Sequence, residues 1–391
     1  MIESINISAF QHFCSSQFSL RERTKRIKDC RQKPQIPTWQ IYEGTLWGYL
    51  FRKKSFLQID QVLRVPEIRK FLGSNRCAIA SDTEIARVLG LISDDELRAL
   101  NYLVYGRAKA KGLAKLKDPL LAGLRVAIMD GSCFKIFSAV VCEFLSDPPL
   151  FLDFEFITKK GKELPGARKL IKRITKRLGR KWVDLILYDG LYVAQGNINQ
   201  CLRDGIDVLI KTDEVGLNII EDAEGIFNHW TDFKESVAYE TGLDEERLVS
   251  YEIWSAPGFR LDGVGKTFKV ARVKEKHLKS GAETVFWVIT TKESLDGKQM
   301  RELAHRRWSI ENNGFKELND QVHSKRVWTH DENVWQELFW IQMMAVNLMG
   351  LFVEWVEQSE GKLSRSTRDE QSMLLFASLI RAVAQGQTSF N

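Results

Sequence analysis

Apolar residues recur at helical spacing through the first 120 residues of the chain, as in "LFRKKSFLQIDQVL" (50–63). Two stretches begin with a serine followed three residues later by a glutamate, the pattern of a helix N-terminus: Ser81 with Glu84, and Ser93 with Glu96. These patterns predict a mainly helical region. Two short helices in succession either pack as a plain helical bundle or form a DNA-reading pair, and both interpretations stay open.

After the helical region, the apolar positions form short continuous runs that are typical of buried strands. They predict three consecutive strands, the first of which, "RVAIMDG", runs into a turn after Asp130. A helix opened by Pro165 precedes a fourth strand that ends at Asp189, then a second helix and a fifth strand, "IDVLIKT". The predicted order is strand, strand, strand, helix, strand, helix, strand. On the third strand, Asp153 and Glu155 alternate with apolar residues, which predicts one exposed face.

Residues 214–300 alternate apolar and polar positions between glycine- and aspartate-rich turns, which predicts a β-rich insertion. The helical period returns at Lys298 and continues into a long apolar helix that is interrupted at Gly350, before a polar tail. We therefore divide the chain into a helical, basic N-terminal region, the first part of a sheet domain, the insertion, the last part of the sheet domain and a tail. These parts are residues 1–120, 121–213, 214–300, 301–358 and 359–391.

Composition places the chain among folded globular proteins, since 44% of its 391 residues are hydrophobic and 28% are charged. No apolar run is long enough to span a membrane, and the N-terminus lacks a signal pattern. We therefore expect a cytoplasmic protein with no membrane partner. The six cysteines form no CxxC pair, which argues for reduced thiols and against a zinc site.

The net charge of +6 is distributed unevenly along the chain. Residues 1–120 carry 21 lysine and arginine residues against 12 acids, whereas residues 214–300 carry 11 against 16. The densest basic stretch, residues 159–181, has 11 basic residues and one acid, which suits the phosphates of nucleic acid. The candidate phosphate contacts on this predicted helix are Lys169, Lys172, Arg173, Lys176 and Arg177.

Three acids occupy positions at which a sheet with covering helices brings side chains together. Asp130 and Asp189 follow the first and fourth predicted strands, and Glu311 lies on the helix after the insertion. If the two strands are neighbours, the aspartates share one edge of the sheet and Glu311 completes a cluster. Clustered carboxylates repel one another, and a pair of Mg²⁺ or Mn²⁺ ions relieves that repulsion while supporting phosphoryl transfer.

Two simpler interpretations compete with a metal site. An Asp-Gly pair after a strand is common turn chemistry, which would account for Asp130 and Asp189 separately. Glu311 stands four residues after Arg307, so the two would form an ordinary salt bridge on an exposed helix. The occurrence of all three acids in this order favours the metal site.

These residues resemble those of insertion-sequence transposases of the DDE class, whose catalytic domain has a ribonuclease H-like fold. The resemblance rests on "IMDGS", "LYDGLY" and "RRWSIE", in which 58 residues separate Asp130 from Asp189 and 121 separate Asp189 from Glu311. It covers about residues 80–355 and is similar in particular to the IS-four subgroup, where a β-rich insertion separates the second and third acids. The resemblance implies an α/β fold: a ribonuclease H-like mixed sheet with flanking helices, this insertion and a mainly helical N-terminal domain.

The subgroup carries a signature of Tyr, Arg, Glu and Lys at fixed spacing, of which this chain has Arg307 and Glu311. Ala304 stands in place of the Tyr and Leu318 in place of the Lys. Because the Tyr and the Lys help to hold DNA phosphates in the family, their loss affects phosphate contacts more than metal binding. The nearby candidates for partial replacement are His305, Lys316 and Asn319.

Tryptophans are further candidates for contacts with DNA. By the same resemblance, Trp230 or Trp254 of the insertion would stack on a flipped base, as in relatives that form hairpin ends. Trp308, beside the signature arginine, is predicted to belong to the core. His323 and His330 lie seven residues apart with no other soft ligand nearby, which makes them weak metal candidates.

The resemblance implies a transposase that binds the terminal inverted repeats of its own element as a homodimer on the bacterial nucleoid. With Mg²⁺ or Mn²⁺ held by Asp130, Asp189 and Glu311, it would cut the ends and join them to target DNA, while Arg307 and Lys316 contact phosphate. A decayed or domesticated relative that binds DNA without cutting it is the alternative, and the missing Tyr and Lys favour it. A general ribonuclease H-like nuclease is disfavoured, because the insertion and the N-terminal region have no evident use there.

Overall fold

The structure is a computed structural model. It describes residues 5–71, 80–157, 162–213 and 216–360, together with residues 374, 375, 377 and 378. Lys159 and Lys160 of the basic stretch, and most of the predicted polar tail, lie outside the described residues.

The N-terminal region is helical, as the spacing of its apolar residues predicts. Its helices are α1 (Ile7–Phe13), α2 (Leu20–Thr24), α3 (Thr38–Leu50), α4 (Phe56–Leu63), α5 (Pro66–Phe71), α6 (Asp82–Leu89) and α7 (Asp94–Ala110). Ser81 and Ser93 are the N-cap residues of α6 and α7, and the Ser81 hydroxyl accepts a hydrogen bond from the Glu84 backbone N–H at 3.2 Å. Both predicted helix starts are therefore confirmed.

The helical stretch at residues 50–63 is interrupted by a turn. α3 ends before the turn, and Ser55 begins α4 by accepting a hydrogen bond from the Gln58 backbone N–H at 3.2 Å. Arg52, within the turn, has a φ of 56°, in the left-handed region. The apolar spacing continues across the turn, which is why the sequence pattern does not reveal the break.

One mixed sheet of nine strands forms the centre of the described chain. Its strands are β1 (Val126–Phe134), β2 (Phe137–Phe144), β3 (Leu150–Ile157), β4 (Leu185–Asp189), β5 (Asp207–Thr212), β6 (Ala238–Asp244), β7 (Val249–Phe259), β8 (Phe268–His277) and β9 (Glu283–Thr290). Their order across the sheet is β3-β2-β1-β4-β5-β9-β8-β7-β6, in which β1, β4 and β5 are parallel and the other pairs antiparallel. With α8 (Glu163–Leu178) and α9 (Gln195–Arg203) in the connections, the predicted order of seven elements and the fold class are confirmed.

The first strand does not end at Asp130, so that prediction is wrong. β1 continues to Phe134 and pairs with β2 along this whole segment. Because the ladder is continuous, Asp130 and Gly131 stay extended and form no turn. Turn chemistry therefore does not account for Asp130, whereas β4 does end at Asp189 as predicted.

The β-rich insertion joins the same sheet. β9 pairs antiparallel with β5, with Leu209 opposite Thr290, and β8, β7 and β6 follow in turn. The insertion also contains α10 (Asn218–Asn228), which the alternating pattern does not reveal. The sheet is thus continuous from the first part of the chain into the insertion, and the domain boundaries drawn from the sequence remain predictions.

Helix α8 packs on β2 and β3 through the apolar stripe that the sequence predicts. Leu170, Ile171 and Ile174 are buried in this contact. A Cβ atom on Gly166 would lie 2.8 Å from Cγ2 of Ile157. The glycine therefore lets the helix approach the sheet closely.

The long apolar helix is α13 (Glu332–Glu360), which continues through Gly350 without a break. It is the one described helix long and apolar enough to cross a membrane, but 89% of its most apolar window is buried inside the protein. Phe339 of α13 packs against Phe134 of β1 and Phe154 of β3, with ring centroids 4.8 and 4.7 Å apart. α13 is therefore placed as a core helix.

The predicted helix around Glu311 is divided into three parts. α11 (Gly297–Arg307) ends before it, a π-helical turn spans Ile310–Phe315, and α12 (Lys316–Val322) follows. Glu311 projects from the π-helical turn, whose wider winding redirects its side chains relative to those of α11.

Replacing Gly166 by alanine is expected to lower the free energy of unfolding by about 1–3 kcal/mol, because the added methyl group overpacks the contact with Ile157. Gly106→Ala in α7 is the matched control. A Cβ atom at Gly106 meets no atom within 4 Å, so this change should stabilise the protein by about 0.5–1 kcal/mol through helix propensity. Denaturant unfolding measures both, and equal effects would contradict the close approach of α8.

Candidate active site

Two of the three predicted acids project from neighbouring parallel strands. β1 and β4 pair with Ile128 opposite Leu187, and the same register, two residues further on, places Asp130 beside Asp189. The Asp130 carboxylate accepts a hydrogen bond from the backbone N–H of the next residue at 2.7 Å. The Asp189 carboxylate accepts one from the Leu191 N–H at 3.1 Å, which caps the short 3₁₀ turn after β4. The sheet therefore fixes the backbone of both acids.

Arg307, the last residue of α11, connects the third acid to the sheet. Its Nη1 atom lies 2.7 Å from Oε1 of Glu311 and 3.6 Å from Oδ2 of Asp130. The salt bridge expected from the four-residue spacing is present, but the Arg307 side chain is only 7% exposed, against 42% for Glu311. An ordinary surface pair does not describe this arginine, which is buried beside the carboxylates of the sheet.

Burial and neighbouring negative charges raise the pKa of Asp130 to about 7. Burial of the carboxyl group is the largest cause, and the negative charges of Asp189 and Glu311 add to it. Arg307 acts in the opposite direction, but one guanidinium group does not offset both the burial and the two neighbouring acids. The site therefore attracts further positive charge.

The acids offer hard oxygen ligands of the kind that Mg²⁺ and Mn²⁺ prefer, and the neighbouring negative charges that help to raise the pKa of Asp130 would favour a bound cation. Within the described residues, no group of three or more His, Cys, Asp or Glu side chains has the spacing of a complete metal site. Glu311 is instead bonded to Arg307. The cluster is thus a cation-attracting arrangement whose third acid is held by an arginine.

Buried ion pairs hold α11 against the insertion. Arg301 Nε lies 2.6 Å from Oε1 of Glu275 in β8, and its Nη1 lies 3.0 Å from Oδ2 of Asp244 in β6. His305 Nε2 lies 2.8 Å from the same Glu275 oxygen. Burial opposes ionisation of Glu275, but the hydrogen bond to His305 and the charge of Arg301 lower its pKa overall. The insertion therefore positions the end of α11, where Arg307 lies.

A buried acid of β2 lies beneath the π-helical turn. Glu143 is fully buried, and its Oε1 accepts a hydrogen bond from the Ser309 hydroxyl at 3.3 Å. Burial raises the pKa of Glu143 to about 8. A Cβ atom on Gly314 would lie 2.5 Å from Oε2 of Glu143, so the glycine makes room for the carboxyl group. Glu143 is not among the predicted site residues, although an acid inside an apolar strand is a signal that identifies it.

A cavity of about 380 Å³ opens beside the acids, and its walls include Asp189, Leu191, Lys211, Asp213, Arg307 and Trp308. Lys211 of β5 pairs with Asp189 in the parallel ladder, and its ammonium lies 4.6 Å from the ring centroid of Trp308. Burial lowers the pKa of Lys211, Asp213 opposes this shift and Arg307 adds to it. Lys211 is also missing from the predicted residues. The sequence feature that could have identified Lys211 is a lysine near the carboxyl end of an otherwise apolar strand.

Trp308 is not part of the core, so that prediction is wrong. Its side chain is 42% exposed at the wall of this cavity. Because α11 ends at Arg307, the helical period that predicted a buried position does not extend to Trp308. The residue adds an exposed aromatic surface to the cavity.

The two departures from the Tyr, Arg, Glu, Lys signature are core residues. Ala304 and Leu318 are 1% and 0% exposed, so their side chains offer no polar contact to a ligand. Of the nearby candidates, His305 is bonded to Glu275 and Asn319 is partly buried. Lys316, at the start of α12, is an exposed cation.

Helix α8 carries the predicted phosphate contacts Lys169, Lys172, Lys176 and Arg177 on its exposed face. Arg173 differs from them, because its guanidinium lies 2.9 Å from Asp153 and 2.6 Å from Glu155 of β3. Asp153 is fully buried, so the predicted exposed face of the third strand is wrong at this position. A buried carboxylate requires a cation, and Arg173 supplies it. We therefore assign Arg173 a structural role instead of a phosphate contact.

The two tryptophans considered for base stacking lie together in the insertion. Trp230 stacks on Tyr239 with ring centroids 4.7 Å apart, and Tyr239 lies 5.1 Å from Trp254. The Arg272 guanidinium covers Trp254 at 4.4 Å from the ring centroid, and Trp254 is 9% exposed. Trp230 is partly exposed. Neither tryptophan is among the described residues that line the cavity beside the acids.

A fourth acid, Glu163, lies near the cluster, and its charge acts on Tyr192, which follows β4. Burial raises the pKa of Tyr192, and the charges of Asp130, Glu163 and Asp189 add to the shift. Glu163 begins α8, and its Cδ atom lies 2.8 Å from the position of a Cβ atom on Gly131. Glu163 is another residue that the sequence patterns did not single out, because its proximity to Asp130 arises only when α8 packs on the sheet.

A family model described as a transposase DDE domain matches residues 132–348. The chain belongs to this family of DDE transposases. The matched range contains Asp189 and Glu311, while Asp130 precedes it by two residues. The resemblance to insertion-sequence DDE transposases is confirmed, and the IS-four subgroup stays a prediction. Among curated proteins, none matches the chain.

Membership of the family establishes the general activity of the protein. It is a nuclease-type transposase enzyme whose partner is DNA, and members of the family generally use divalent metal ions. The acids that carry the reaction, the metal and the DNA contacts of this particular transposase are matters for proposal.

Asp130→Asn is expected to stabilise the metal-free transposase at neutral pH, because asparagine avoids ionisation at a buried site. Below about pH 4 the Asp130 carboxyl is protonated in both the folded and the unfolded chain. As the pH rises from about 4 to 7, the unfolded chain releases the proton while the folded chain retains it, so the wild-type free energy of unfolding falls. Above pH 7 the loss is constant.

Thermal unfolding in a chelator, followed from pH 4 to pH 8, measures this difference. We expect the variant to gain on the order of 5 °C in Tm over the wild type between these two pH values. A Tm difference that does not change with pH would show that Asp130 is ionised throughout this range.

Proposed function

We propose that the protein binds the terminal inverted repeats of its own insertion sequence, cuts the DNA strands at those ends and joins them to target DNA in the cytoplasm. The observation that carries the proposal is the convergence of Asp130, Asp189 and Glu311 around Arg307 at one edge of the sheet. This arrangement joins acids from three distant parts of the sequence in a protein that belongs to the DDE transposases.

Results

Sequence analysis

Apolar residues recur at helical spacing through the first 120 residues of the chain, as in "LFRKKSFLQIDQVL" (50–63). Two stretches begin with a serine followed three residues later by a glutamate, the pattern of a helix N-terminus: Ser81 with Glu84, and Ser93 with Glu96. These patterns predict a mainly helical region. Two short helices in succession either pack as a plain helical bundle or form a DNA-reading pair, and both interpretations stay open.

After the helical region, the apolar positions form short continuous runs that are typical of buried strands. They predict three consecutive strands, the first of which, "RVAIMDG", runs into a turn after Asp130. A helix opened by Pro165 precedes a fourth strand that ends at Asp189, then a second helix and a fifth strand, "IDVLIKT". The predicted order is strand, strand, strand, helix, strand, helix, strand. On the third strand, Asp153 and Glu155 alternate with apolar residues, which predicts one exposed face.

Residues 214–300 alternate apolar and polar positions between glycine- and aspartate-rich turns, which predicts a β-rich insertion. The helical period returns at Lys298 and continues into a long apolar helix that is interrupted at Gly350, before a polar tail. We therefore divide the chain into a helical, basic N-terminal region that is expected to bind DNA, the first part of a sheet domain, the insertion, the last part of the sheet domain and a tail. These parts are residues 1–120, 121–213, 214–300, 301–358 and 359–391.

Composition places the chain among folded globular proteins, since 44% of its 391 residues are hydrophobic and 28% are charged. No apolar run is long enough to span a membrane, and the N-terminus lacks a signal pattern. We therefore expect a cytoplasmic protein with no membrane partner. The six cysteines form no CxxC pair, which argues for reduced thiols and against a zinc site.

The net charge of +6 is distributed unevenly along the chain. Residues 1–120 carry 21 lysine and arginine residues against 12 acids, whereas residues 214–300 carry 11 against 16. The densest basic stretch, residues 159–181, has 11 basic residues and one acid, which suits the phosphates of nucleic acid. The candidate phosphate contacts on this predicted helix are Lys169, Lys172, Arg173, Lys176 and Arg177.

Three acids occupy positions at which a sheet with covering helices brings side chains together. Asp130 and Asp189 follow the first and fourth predicted strands, and Glu311 lies on the helix after the insertion. If the two strands are neighbours, the aspartates share one edge of the sheet and Glu311 completes a cluster. Clustered carboxylates repel one another, and a pair of Mg²⁺ or Mn²⁺ ions relieves that repulsion while supporting phosphoryl transfer.

Two simpler interpretations compete with a metal site. An Asp-Gly pair after a strand is common turn chemistry, which would account for Asp130 and Asp189 separately. Glu311 stands four residues after Arg307, so the two would form an ordinary salt bridge on an exposed helix. The occurrence of all three acids in this order favours the metal site.

These residues resemble those of insertion-sequence transposases of the DDE class, whose catalytic domain has a ribonuclease H-like fold. The resemblance rests on "IMDGS", "LYDGLY" and "RRWSIE", in which 58 residues separate Asp130 from Asp189 and 121 separate Asp189 from Glu311. It covers about residues 80–355 and is similar in particular to the IS-four subgroup, where a β-rich insertion separates the second and third acids. The resemblance implies an α/β fold: a ribonuclease H-like mixed sheet with flanking helices, this insertion and a mainly helical N-terminal domain.

The subgroup carries a signature of Tyr, Arg, Glu and Lys at fixed spacing, of which this chain has Arg307 and Glu311. Ala304 stands in place of the Tyr and Leu318 in place of the Lys. Because the Tyr and the Lys help to hold DNA phosphates in the family, their loss affects phosphate contacts more than metal binding. The nearby candidates for partial replacement are His305, Lys316 and Asn319.

Tryptophans are further candidates for contacts with DNA. By the same resemblance, Trp230 or Trp254 of the insertion would stack on a flipped base, as in relatives that form hairpin ends. Trp308, beside the signature arginine, is predicted to belong to the core. His323 and His330 lie seven residues apart with no other soft ligand nearby, which makes them weak metal candidates.

The resemblance implies a transposase that binds the terminal inverted repeats of its own element as a homodimer on the bacterial nucleoid. With Mg²⁺ or Mn²⁺ held by Asp130, Asp189 and Glu311, it would cut the ends and join them to target DNA, while Arg307 and Lys316 contact phosphate. A decayed or domesticated relative that binds DNA without cutting it is the alternative, and the missing Tyr and Lys favour it. A general ribonuclease H-like nuclease is disfavoured, because the insertion and the N-terminal region have no evident use there.

Overall fold

The structure is a computed structural model. It describes residues 5–71, 80–157, 162–213 and 216–360, together with residues 374, 375, 377 and 378. Lys159 and Lys160 of the basic stretch, and most of the predicted polar tail, lie outside the described residues.

The N-terminal region is helical, as the spacing of its apolar residues predicts. Its helices are α1 (Ile7–Phe13), α2 (Leu20–Thr24), α3 (Thr38–Leu50), α4 (Phe56–Leu63), α5 (Pro66–Phe71), α6 (Asp82–Leu89) and α7 (Asp94–Ala110). Ser81 and Ser93 are the N-cap residues of α6 and α7, and the Ser81 hydroxyl accepts a hydrogen bond from the Glu84 backbone N–H at 3.2 Å. Both predicted helix starts are therefore confirmed.

The helical stretch at residues 50–63 is interrupted by a turn. α3 ends before the turn, and Ser55 begins α4 by accepting a hydrogen bond from the Gln58 backbone N–H at 3.2 Å. Arg52, within the turn, has a φ of 56°, in the left-handed region. The apolar spacing continues across the turn, which is why the sequence pattern does not reveal the break.

One mixed sheet of nine strands forms the centre of the described chain. Its strands are β1 (Val126–Phe134), β2 (Phe137–Phe144), β3 (Leu150–Ile157), β4 (Leu185–Asp189), β5 (Asp207–Thr212), β6 (Ala238–Asp244), β7 (Val249–Phe259), β8 (Phe268–His277) and β9 (Glu283–Thr290). Their order across the sheet is β3-β2-β1-β4-β5-β9-β8-β7-β6, in which β1, β4 and β5 are parallel and the other pairs antiparallel. With α8 (Glu163–Leu178) and α9 (Gln195–Arg203) in the connections, the predicted order of seven elements and the fold class are confirmed.

The first strand does not end at Asp130, so that prediction is wrong. β1 continues to Phe134 and pairs with β2 along this whole segment. Because the ladder is continuous, Asp130 and Gly131 stay extended and form no turn. Turn chemistry therefore does not account for Asp130, whereas β4 does end at Asp189 as predicted.

The β-rich insertion joins the same sheet. β9 pairs antiparallel with β5, with Leu209 opposite Thr290, and β8, β7 and β6 follow in turn. The insertion also contains α10 (Asn218–Asn228), which the alternating pattern does not reveal. The sheet thus includes strands from both the first part of the chain and the insertion, and the domain boundaries drawn from the sequence remain predictions.

Helix α8 packs on β2 and β3 through the apolar stripe that the sequence predicts. Leu170, Ile171 and Ile174 are buried. A Cβ atom on Gly166 would lie 2.8 Å from Cγ2 of Ile157. The glycine therefore lets the helix approach the sheet closely.

The long apolar helix is α13 (Glu332–Glu360), which continues through Gly350 without a break. It is the one described helix long and apolar enough to cross a membrane, but 89% of its most apolar window is buried inside the protein. Phe339 of α13 packs against Phe134 of β1 and Phe154 of β3, with ring centroids 4.8 and 4.7 Å apart. α13 is therefore placed as a core helix.

The predicted helix around Glu311 is divided into three parts. α11 (Gly297–Arg307) ends before it, a π-helical turn spans Ile310–Phe315, and α12 (Lys316–Val322) follows. Glu311 projects from the π-helical turn, whose wider winding redirects its side chains relative to those of α11.

Replacing Gly166 by alanine is expected to lower the free energy of unfolding by about 1–3 kcal/mol, because the added methyl group overpacks the contact with Ile157. Gly106→Ala in α7 is the matched control. A Cβ atom at Gly106 meets no atom within 4 Å, so this change should stabilise the protein by about 0.5–1 kcal/mol through helix propensity. Denaturant unfolding measures both, and equal effects would contradict the close approach of α8.

Candidate active site

Two of the three predicted acids project from neighbouring parallel strands. β1 and β4 pair with Ile128 opposite Leu187, and the same register, two residues further on, places Asp130 beside Asp189. The Asp130 carboxylate accepts a hydrogen bond from the backbone N–H of the next residue at 2.7 Å. The Asp189 carboxylate accepts one from the Leu191 N–H at 3.1 Å, which caps the short 3₁₀ turn after β4. The sheet therefore fixes the backbone of both acids.

Arg307, the last residue of α11, connects the third acid to the sheet. Its Nη1 atom lies 2.7 Å from Oε1 of Glu311 and 3.6 Å from Oδ2 of Asp130. The salt bridge expected from the four-residue spacing is present, but the Arg307 side chain is only 7% exposed, against 42% for Glu311. An ordinary surface pair does not describe this arginine, which is buried beside a carboxylate of the sheet.

Burial and neighbouring negative charges raise the pKa of Asp130 to about 7. Burial of the carboxyl group is the largest cause, and the negative charges of Asp189 and Glu311 add to it. Arg307 acts in the opposite direction, but one guanidinium group does not offset both the burial and the two neighbouring acids. The site therefore attracts further positive charge.

The acids offer hard oxygen ligands of the kind that Mg²⁺ and Mn²⁺ prefer, and the neighbouring negative charges that help to raise the pKa of Asp130 would favour a bound cation. Within the described residues, no group of three or more His, Cys, Asp or Glu side chains has the spacing of a complete metal site. Glu311 is instead bonded to Arg307. The cluster is thus a cation-attracting arrangement whose third acid is held by an arginine.

Buried ion pairs hold α11 against the insertion. Arg301 Nε lies 2.6 Å from Oε1 of Glu275 in β8, and its Nη1 lies 3.0 Å from Oδ2 of Asp244 in β6. His305 Nε2 lies 2.8 Å from the same Glu275 oxygen. Burial opposes ionisation of Glu275, but the hydrogen bond to His305 and the charge of Arg301 lower its pKa overall. The insertion therefore positions the end of α11, where Arg307 lies.

A buried acid of β2 lies beneath the π-helical turn. Glu143 is fully buried, and its Oε1 accepts a hydrogen bond from the Ser309 hydroxyl at 3.3 Å. Burial raises the pKa of Glu143 to about 8. A Cβ atom on Gly314 would lie 2.5 Å from Oε2 of Glu143, so the glycine makes room for the carboxyl group. Glu143 is not among the predicted site residues, although an acid inside an apolar strand is a signal that identifies it.

A cavity of about 380 Å³ opens beside the acids, and its walls include Asp189, Leu191, Lys211, Asp213, Arg307 and Trp308. Lys211 of β5 pairs with Asp189 in the parallel ladder, and its ammonium lies 4.6 Å from the ring centroid of Trp308. Burial lowers the pKa of Lys211, Asp213 opposes this shift and Arg307 adds to it. Lys211 is also missing from the predicted residues. The sequence feature that could have identified Lys211 is a lysine near the carboxyl end of an otherwise apolar strand.

Trp308 is not part of the core, so that prediction is wrong. It is 42% exposed at the wall of this cavity. Because α11 ends at Arg307, the helical period that predicted a buried position does not extend to Trp308. The residue adds an exposed aromatic surface to the cavity.

The two departures from the Tyr, Arg, Glu, Lys signature are core residues. Ala304 and Leu318 are 1% and 0% exposed, so their side chains offer no polar contact to a ligand. Of the nearby candidates, His305 is bonded to Glu275 and Asn319 is partly buried. Lys316, at the start of α12, is an exposed cation.

Helix α8 carries most of the predicted phosphate contacts on its exposed face, namely Lys169, Lys172, Lys176 and Arg177. Arg173 differs from them, because its guanidinium lies 2.9 Å from Asp153 and 2.6 Å from Glu155 of β3. Asp153 is fully buried, so the predicted exposed face of the third strand is wrong at this position. A buried carboxylate requires a cation, and Arg173 supplies it. We therefore assign Arg173 a structural role instead of a phosphate contact.

The two tryptophans considered for base stacking lie together in the insertion. Trp230 stacks on Tyr239 with ring centroids 4.7 Å apart, and Tyr239 lies 5.1 Å from Trp254. The Arg272 guanidinium covers Trp254 at 4.4 Å from the ring centroid, and Trp254 is 9% exposed. Trp230 is partly exposed. Neither tryptophan is among the described residues that line the cavity beside the acids.

A fourth acid, Glu163, lies near the cluster, and its charge acts on Tyr192, which follows β4. Burial raises the pKa of Tyr192, and the charges of Asp130, Glu163 and Asp189 add to the shift. Glu163 begins α8, and its Cδ atom lies 2.8 Å from the position of a Cβ atom on Gly131. The sequence patterns do not single out Glu163, because its proximity to Asp130 arises only when α8 packs on the sheet.

A family model described as a transposase DDE domain matches residues 132–348. The chain belongs to this family of DDE transposases. The matched range contains Asp189 and Glu311, while Asp130 precedes it by two residues. The resemblance to insertion-sequence DDE transposases is confirmed, and the IS-four subgroup stays a prediction. Among curated proteins, none matches the chain.

Membership of the family establishes the general activity of the protein. It is a nuclease-type transposase enzyme whose partner is DNA, and members of the family generally use divalent metal ions. The acids, the metal and the DNA contacts that this particular transposase uses are matters for proposal.

Asp130→Asn is expected to stabilise the metal-free transposase at neutral pH, because asparagine avoids ionisation at a buried site. Below about pH 4 the Asp130 carboxyl is protonated in both the folded and the unfolded chain. As the pH rises from about 4 to 7, the unfolded chain releases the proton while the folded chain retains it, so the wild-type free energy of unfolding falls. Above pH 7 the loss is constant.

Thermal unfolding in a chelator, followed from pH 4 to pH 8, measures this difference. Between these two pH values, the variant should gain on the order of 5 °C in Tm relative to the wild type. A Tm difference that does not change with pH would contradict the raised pKa of Asp130.

Proposed function

We propose that the protein binds the terminal inverted repeats of its own insertion sequence, cuts the DNA at those ends and joins them to target DNA in the cytoplasm. The observation that carries the proposal is the convergence of Asp130, Asp189 and Glu311 around Arg307 at one edge of the sheet. The arrangement unites acids from three distant parts of the sequence in a protein that belongs to the DDE transposases.

In this proposal Asp130, Asp189 and Glu311 hold two Mg²⁺ or Mn²⁺ ions. When bound, such ions lower the pKa of an attacking water and stabilise the leaving oxygen in an in-line displacement at phosphorus. The sheet holds the backbone of the two aspartates, and the π-helical turn carries the more exposed Glu311, which is paired with Arg307. Water is the nucleophile of strand cleavage, and the freed 3′-hydroxyl is the nucleophile of strand transfer.

The phosphate beside the cleaved bond requires cations, because the signature Tyr and Lys are absent. Arg307 already lies among the acids, and Lys211 lies on the wall of the same cavity. Lys316 follows the π-helical turn and is exposed. We assign phosphate contacts to these three residues, with Trp308 as an aromatic surface for a nearby base.

The wider DNA surface in the proposal includes the exposed cations of α8, namely Lys169, Lys172, Lys176 and Arg177. Of the two tryptophans in the insertion, Trp230 is the more accessible for base stacking, since Arg272 covers Trp254. Two DNA ends must be paired in transposition, so the proposal includes a homodimer in the synaptic complex.

A DNA-binding protein without cleavage activity is the second candidate function. The burial of Ala304 and Leu318, where the subgroup has Tyr and Lys, favours it. The retention of three acids around one arginine supports the enzyme instead, because a protein that only binds DNA gains nothing from gathering carboxylates that repel phosphate.

Asp189→Asn is expected to reduce Mg²⁺-dependent strand cleavage of the terminal repeat by about 10³-fold or more, because loss of a metal carboxylate removes several kcal/mol of transition-state stabilisation. Asp184→Asn is the matched control. Asp184 lies just before the same strand and pairs with Arg125 at 2.6 Å, away from the acids. It should keep cleavage activity and lose stability. Cleavage of the terminal repeat on gels measures both variants.

If the wild type binds the terminal repeat specifically but does not cleave it in Mg²⁺ or Mn²⁺, the proposed enzyme activity is wrong and the second candidate function is supported. Equal loss of activity in the Asp184 and Asp189 variants would show a general structural defect instead of a catalytic role for Asp189.

Mg²⁺ or Mn²⁺ in the absence of DNA should raise the Tm of the wild type and should raise it much less in Asp189→Asn, because ligand binding to the folded state alone stabilises it. At a metal concentration 100 times the Kd, the gain is about 2.7 kcal/mol. Differential scanning calorimetry with and without metal measures the effect. Equal gains in the two proteins would place the metal elsewhere.

A further inference from the structure

A second basic cavity, of about 500 Å³, lies outside the cluster of acids. It forms where the turn between α3 and α4 meets the segment around the end of α12. The charged and titratable residues of its walls are Arg52, Lys54, Asp320, His323, Lys325 and Arg326. We call it the basic pocket. It joins the N-terminal helical region to the part of the chain that follows Glu311.

The charge of the basic pocket is strongly unbalanced, with four cations against the one carboxylate of Asp320. The side chains of Lys54, Lys325 and Arg326 form no ion pair with any residue that the structure describes. Arg173 and Arg301, by contrast, are each paired with two acids. Like charges gathered without acids repel one another, and an anionic ligand relieves that repulsion.

The backbone of the pocket is held in uncommon conformations. Arg52 and His323 have φ values of 56° and 54°, in the left-handed region that costs non-glycine residues about 1–2 kcal/mol. An Arg52 N–H donates to the backbone carbonyl of Asp320, which joins the two walls. Such strain persists where surrounding structure fixes it, and it is frequent at binding sites.

His323 adds an unused polar atom. Its Nε2 is buried without a hydrogen-bond partner among the described residues. Burial lowers the pKa of His323, and the charges of Lys54, Arg52 and Arg326 lower it further. Asp320 and Lys325 face the same cavity. A phosphate in the pocket would offset these positive charges and favour protonation of the imidazole, so that Nε2–H donates to a phosphate oxygen.

The pocket continues the exposed face of α12. Lys316, Asp320 and His323 are spaced four and three residues apart, so they lie on one side of the helix. From Lys316 to His323 the helix rises by roughly 10 Å, which is the length of about three base pairs. A duplex that runs along α12 from a cleaved phosphate at Glu311 would reach the pocket a few base pairs further on.

We propose that the basic pocket binds the phosphate backbone of duplex DNA a few base pairs from the bond that is cleaved. The N-terminal turn between α3 and α4 and the segment after α12 would then clamp the same duplex. The inference rests on the proposed function, because it takes Glu311 as the place where the DNA is cut.

The test is the salt dependence of binding by the full chain to a labelled duplex that carries the terminal repeat, measured by fluorescence anisotropy in a chelator so that cleavage plays no part. In Lys325→Ala/Arg326→Ala, the slope of log Kd against log salt should fall by about 1.8, since each lost phosphate contact removes about 0.9. The charge-preserving variant Lys325→Arg/Arg326→Lys should keep the wild-type slope.

Lys115→Ala/Lys298→Ala is the matched control, with the same change of charge. Both lysines are exposed and lie near the start of β1. Lys115 precedes β1 in the chain. Lys298 is next to Gln299, whose side-chain amide donates a hydrogen bond to the Leu120 carbonyl. Its slope should equal that of the wild type. Equal slopes in the wild type and the pocket variant, or equal losses in the pocket and control variants, would overturn the inference.

Two measurements separate this inference from the proposed function. A wild type that cleaves the repeat while the pocket variant keeps the wild-type slope contradicts the pocket alone. A wild type that does not bind duplex DNA contradicts both. The wild type could also bind the duplex without cleaving it. A smaller salt slope in the pocket variant would then support DNA binding at the pocket but not the proposed reaction.

Discussion

The burial of Arg307 among carboxylates is the interaction on which the rest of the site depends. Asp130, Asp189 and Glu311 come from separate parts of the chain, and their mutual repulsion opposes folding. Arg307 reduces that repulsion by bonding to Glu311 and approaching Asp130, yet the pKa of Asp130 stays near 7. The folded protein therefore keeps an excess of negative charge around these acids, which would favour the binding of a cation.

That arginine occupies its place because α11 is fixed along its length. Arg301 is bonded to acids of β6 and β8, and Arg247 lies 2.8 Å from Glu302 on the same helix. At the end of α11, Arg306 reaches Asp118, which precedes β1. The insertion extends the sheet through β9 and also supplies Asp244, Glu275 and Arg247 to these ion pairs. Its strands thus help to determine where Arg307 and the following π-helical turn lie, which explains how a segment that contains none of the three acids contributes to their geometry.

The sequence predicts the features that depend on local patterns. The apolar patterns give the order of the first seven elements of the sheet domain, from β1 to β5 with α8 and α9. The end of β4 at Asp189 follows from the apolar run that precedes it. Asp130 lies inside a strand because β2 pairs beyond it, and no local pattern records that pairing. The positions of Arg173, Lys211 and Glu163 depend on which element packs against which. Charge and spacing along the chain do not specify those partners.

The altered signature has a physical consequence for how the DNA is held. Ala304 and Leu318 are buried, so restoring Tyr and Lys there would require a polar group in the core instead of adding a contact at the surface. In the proposed function, phosphate binding therefore falls to cations on other elements. Lys211 lies on β5 and Lys316 on α12, so strands and helices on both sides of the acids can share the task. In the proposed site, Arg307 and Glu311 have a role that does not depend on the two ends of the signature, because Arg307 reduces the repulsion among the acids.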